Sequence, residues 1–88
     1  MTNVAIGTEI DPASIREVVA EHIGVAFDSQ NFDIEGDLYA AGLTSLATVG
    51  LMLGLEERFD IEFPESMLGR GTFRSIAAIA EAVAKISR

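Results

Sequence analysis

Eighty-eight residues with a formal net charge of −8 make one small acidic domain, a poor match for nucleic acid or for an anionic membrane surface. A 49% apolar content supports a packed globule, but a chain this short buries only roughly 60% of its unfolded surface, so a deep substrate pocket is not expected. With no cysteine there is no disulfide framework and no thiolate metal site, and any thioester sulfur must come from outside the chain.

Residues 1–10 carry little periodic signal and read as a flexible arm, leaving 11–88 as the domain. Asp11-Pro12 is a helix start, with Asp as N-cap and Pro at the first helical position. Ile15, Val18, Val19, His22 and Ile23 then recur at helical spacing, and Gly24 is the expected stop. Residues 25–44 hold no sustained period. Asp28, Ser29, Asn31, Asp33, Gly36 and Asp37 are turn formers, and Phe27, Phe32, Ile34, Leu38 and Leu43 are expected to tack this long loop onto the core.

Thr44 is the expected N-cap of a second helix running to about Phe59. Asp60-Ile61-Glu62-Phe63 reads as a short extended link, and Pro64 opens a brief helix through Leu68 that Gly69 and Gly71 break. Met67 and Leu68 are expected to plug the bundle end. Thr72 is the expected cap of a last helix, with Phe73, Ile76, Ile79, Ala80, Val83 and Ile86 in one stripe and Lys85 and Arg88 suited to its C-terminal dipole. The fold class is all-α: a four-helix bundle of three longer helices and one short one, with a long first connection.

At about 100° per residue, Thr48, Leu51, Met52, Leu55 and Phe59 share the arc of the second helix expected to face the core. Leu46, Val49 and Leu53 fall in a second arc beside Ser45, with Gly50 and Gly54 next to it and Glu57 flanking. Either the loop covers that second arc, or it is a docking strip for partner proteins. Each glycine costs roughly 1 kcal/mol against alanine in a helix interior, which close approach of this chain or of a partner would offset.

Enzyme chemistry finds little support. The sole histidine is His22, on the apolar side of the first helix, where a packed ring is the simpler reading than a base or ligand. Asp28, Asp33, Glu35 and Asp37 lack the alternating oxygen ligands of a calcium loop and read as a solvated segment. No metal site and no catalytic residue is expected. Ser45 stands at a helix start without a paired base, which suits a residue that another enzyme modifies.

Gly42-Leu43-Thr44-Ser45-Leu46 resembles the attachment motif of acyl carrier proteins. The resemblance extends to Asp37-Leu38, to Leu55 through Pro64, and to the closing helices, about residues 12–87. It implies that a phosphopantetheinyl transferase moves 4'-phosphopantetheine from coenzyme A onto Ser45. It also implies a terminal thiol carrying an acyl or aminoacyl thioester between a loading ligase and a downstream transferase. Thr44, Leu46, Val49, Gly50, Leu53, Glu56 and Glu57 are then the implied partner-docking residues.

Three departures bear on the cargo. Thr44 stands where the family usually has Asp, and Ala47 and Gly50 occupy commonly acidic positions. Together they thin the strip that fatty-acid enzymes dock against. Leu43 to Leu53, Ile61 to Ser66 and Arg70-Gly71-Thr72-Phe73 look closer to stand-alone carriers of amino acids, served by ligases similar to truncated aminoacyl-tRNA synthetases; D-alanyl and free-standing peptidyl carriers are also similar. A fatty-acyl carrier of a specialised lipid or polyketide pathway is the rival within the family, and an unmodified helical adaptor the rival outside it. The expected setting is a monomer in the cytoplasm, since neither a signal peptide nor an apolar membrane span is visible.

Overall fold

The computed structural model describes residues 11–24, 27, 28 and 31–87, and the arm expected over residues 1–10 lies outside them. Helix α1 spans Pro12–Ile23, α2 spans Ser45–Phe59 and α3 spans Ile76–Ser87. Among the described residues there is no strand. The Asp11 carboxylate accepts the Ser14 amide at 2.8 Å, and Gly24 ends α1 at φ 127°, a conformation open to glycine.

Helix α1 packs against both α2 and α3. Ile15 and Val19 from α1, Leu51 and Leu55 from α2, and Ile76, Ile79 and Val83 from α3 are fully buried in one core. The same core takes Leu38 and Leu43 from the α1–α2 connection, with Phe27 and Phe32 packed at its edge, whereas Ile34 stays exposed. Ile34 is fixed instead through its carbonyl, which accepts the Ala77 amide at 2.9 Å. The Arg16 guanidinium donates to the Phe32 carbonyl and ties the connection to α1.

Three expectations need correction. The short helix expected from Pro64 through Leu68 is a single 3-10 turn at Glu65–Met67, closed by Met67 N–H to the Pro64 carbonyl at 2.8 Å. Leu68 does not plug the bundle end. It is 46% exposed, while Met67 packs on the core. Nor does the last helix start at Thr72. Residues 72–75 continue the turn so that Phe73 is buried edge-on against Phe63, ring centres 5.3 Å apart. The cap is Ser75, whose hydroxyl accepts the Ala78 amide at 3.0 Å. Arg88 lies outside the described residues.

One stitch sets the geometry of the functional end. Leu38 N–H donates to the Arg74 carbonyl at 2.7 Å, pinning the turn before α2 to the turn before α3. The Asp37 carboxylate accepts the amides of Tyr39 and Ala40, and Gly42 reverses the chain at φ 122°, delivering Thr44 to the start of α2.

Candidate functional site

Thr44 is consumed by capping. Its hydroxyl accepts the Ala47 amide at 3.0 Å, and its carbonyl accepts both the amide and the hydroxyl of Thr48. Ser45, the first helical residue, is left exposed, and among the described residues none hydrogen-bonds its hydroxyl. It therefore stands at the positive end of a 15-residue helix with its oxygen free for derivatisation.

No base is at hand. The His22 ring lies over Gly50 and Gly54, more than one turn further along α2, with Nδ1 3.0 Å from the Val18 carbonyl oxygen. That placement explains both glycines. A Cβ at Gly50 would sit 2.8 Å from His22 Cδ2, and one at Gly54 would sit 3.0 Å from both His22 and Val18. The close approach comes from a side chain of this chain's own α1.

An open cleft of about 410 Å³ adjoins Ser45. Val49, Met52, Leu68 and Phe73 form its apolar wall, and Tyr39 and Arg70 bring its polar chemistry. The Arg70 guanidinium carbon lies 3.8 Å from the Tyr39 ring centre, a cation–π stack that the Leu38–Arg74 stitch makes possible. Sequence reasoning did not single out Tyr39 or Arg70. Their thirty-one-position separation carries no periodic signal, and only the paired turns bring them together.

On the outer side of α2, Leu46 is 84% exposed, Val49 52% and Leu53 54%. The described residues of the connection do not cover the second arc, so the three side chains form an exposed apolar strip running down from Ser45. Gly50 faces α1 rather than this strip. Glu57 is exposed, whereas Glu56 is engaged, its carboxylate accepting the Phe63 amide at 2.9 Å. The expected docking set thus divides. Leu46, Val49, Leu53 and Glu57 are available at the surface, Thr44 and Glu56 hold local structure, and Gly50 makes room for His22.

The acidic connection is similarly occupied. Asp28 accepts from Asn31, Asp33 from the Glu35 amide, and Asp37 from two amides of its own turn. Among the described residues no three metal-binding side chains cluster, and no helix is long and apolar enough to cross a membrane.

Residues 13–83 match the family model described as the phosphopantetheine attachment site. The chain is 51% identical over 71 residues to the aminoacyl carrier protein of Agrobacterium fabrum, covering 81% of this chain and 86% of that protein. It is 41% identical over 54 residues to the D-alanyl carrier protein of Streptococcus sanguinis, covering 60% and 68% respectively. Among solved structures it resembles a chain in the crystal structure of an engineered Bradyrhizobium japonicum glycine:[carrier protein] ligase complexed with carrier protein from Agrobacterium tumefaciens and AMP. That match has a TM-score of 0.79 and 49% identity, and covers 84% of this chain and 99% of that one. A solution structure from Agrobacterium tumefaciens is similar at TM-score 0.68 and 48% identity, covering 88% and 93%.

Proposed function

The chain belongs to the phosphopantetheine-attachment carrier family, and we propose that Ser45 is its attachment residue and that its cargo is a small amino acid. The observation that carries this reading is the Ser45 hydroxyl: exposed, without a hydrogen-bond partner among the described residues, and beside a cleft. A phosphodiester there fits the chain, because the α2 N-terminus favours negative charge and no side chain must be displaced from the oxygen. The helix effect is only about 0.3–1 kcal/mol, so selection of the site falls to the transferase that installs the arm. The 4'-phosphopantetheine group supplies a thiol for thioester linkage, the sulfur that this cysteine-free chain lacks.

The polypeptide's own part is to hold the hydroxyl outward and to present a surface. Leu46, Val49 and Leu53 give partners an apolar face whose burial contributes roughly 25 cal/mol per Å². Glu57 and the net charge of −8 steer basic partners toward it. The aminoacyl reading is supported by the Agrobacterium fabrum relative and by the resemblance to a chain from a complex with a glycine:[carrier protein] ligase. The partners are then a phosphopantetheinyl transferase, an ATP-dependent aminoacyl ligase and a downstream acyl-group acceptor enzyme. The protein works as a cytoplasmic monomer and performs no reaction itself.

The test is loading. The arm-bearing protein is incubated with ATP, glycine or alanine, and a carrier-specific aminoacyl ligase, and intact mass is followed. One aminoacyl group should add, come off with hydroxylamine, and be absent from Ser45→Ala. Loading by a fatty-acyl synthetase with none by aminoacyl ligases would overturn the cargo assignment.

A further inference from the structure

We propose that Arg70, held over Tyr39, binds the phosphodiester of the arm on Ser45 and so lays the arm's first segment along the cleft wall of Val49, Met52 and Leu68. This rests on the attachment reading above. Ser45 and Arg70 line the same cleft, so an anion tethered to the first is confined near the second. The guanidinium is already placed. Its carbon sits over the Tyr39 ring, and no described residue accepts a hydrogen bond from its N–H donors, the groups that match phosphate oxygens.

Its charge is also uncommitted. The sequence has 14 acidic residues against six basic ones, and the Arg58 guanidinium already pairs with Glu17. Among the described residues no carboxylate pairs with Arg70. An anionic arm on a chain of net charge −8 is otherwise repelled from its surface, and Arg70 supplies the local exception. Because Arg70 is exposed, the docked-to-free ratio of the arm should change by roughly two- to fivefold, enough to bias the arm without trapping it.

Phosphorus NMR on the arm-bearing protein reads the contact directly. Wild type is compared with Arg70→Gln, Arg70→Lys and Tyr39→Leu, each checked by intact mass for one arm and by the backbone amide resonances of α2 for an unchanged fold. In wild type the Arg70 Nε–H resonance should move when the arm is attached. In Arg70→Gln the phosphorus resonance should narrow and shift toward that of free pantetheine phosphodiester. Tyr39→Leu, which keeps the charge and removes its platform, should fall between, and added salt should carry wild type toward Arg70→Gln. If the arm is attached and neither the phosphorus line nor the Arg70 Nε–H responds, the contact is refuted while attachment stands. If no arm can be attached, both readings fall together.

Discussion

Two serines sit at two helix starts and meet opposite fates. Ser75 at the head of α3 is 2% exposed, and its hydroxyl is spent on the Ala78 amide while its carbonyl accepts Ile79 N–H. Ser45 at the head of α2 is exposed, because Thr44 one residue earlier has already taken the capping role. The Ile34 carbonyl closes a further amide at the α3 start, so that end is sealed by the chain itself. The α2 start instead opens onto a cleft carrying Arg70 and Tyr39. Serine at a helix start signals capping in both places. A second capping residue immediately before it is what frees one of them for chemistry.

The outer faces of the two helices should separate most widely. Leu46→Asp or Leu53→Asp is expected to lower kcat/KM for ligase loading by about tenfold or more, as loss of an apolar anchor does. Unfolding free energy should move by no more than about 0.5 kcal/mol, since both side chains are exposed. Ala84→Asp on the exposed face of α3 should change neither quantity. Equal loading defects from both helices would remove the reason for assigning the dock to α2.

Next comes stability at the two caps. Ser75→Ala should cost about 1 kcal/mol in urea unfolding, since the half-buried Ala78 amide loses its acceptor. Ser45→Ala should stay within about 0.5 kcal/mol of wild type. A large loss from Ser45→Ala would mean its hydroxyl has a structural partner after all.

A smaller contrast distinguishes two neighbouring acids. Glu56→Gln weakens a charge-assisted hydrogen bond to Phe63 N–H and should cost about 1 kcal/mol, whereas Glu57→Gln should be neutral to folding. The smallest effect concerns the glycines. In wild type Gly50→Ala should be neutral or destabilising, because its Cβ meets His22. In a His22→Ala background the same change should stabilise by up to about 1 kcal/mol, the ordinary helix gain. A gain of equal size in both backgrounds would show that His22 is not what keeps the position small.

The helices were legible in the sequence for local reasons. Asp11-Pro12, Thr44 and the apolar periodicities act within a few residues, and α1 and α2 begin where those signals stand. The start of α3 was misread because Thr72 and Ser75 are both capping residues, and only the burial of Phe73 selects between them. Membership of the carrier family was legible in the residues around Ser45, and so was the second apolar arc of α2, though its exposure was not. Exposure depends on where residues 31–43 pack, and no period records that. Glu56 was grouped with the docking surface because the family resemblance implies an acidic strip there, and Gly50 because helical spacing places it beside the second arc. Their actual engagements, with Phe63 and His22, come from segments brought in by the fold. The pairing of Tyr39 with Arg70 was invisible for the same reason.

The decisive measurement is the position of the arm. Protein treated with coenzyme A and a phosphopantetheinyl transferase, and protein isolated from its own cells, can both be fragmented intact in the mass spectrometer. Attachment as described here requires one phosphopantetheine on the fragment that isolates Ser45, none on Ser45→Ala and a full complement on Ser75→Ala. An arm found on Thr44, Ser66 or Ser75, or one that persists in Ser45→Ala, would contradict it.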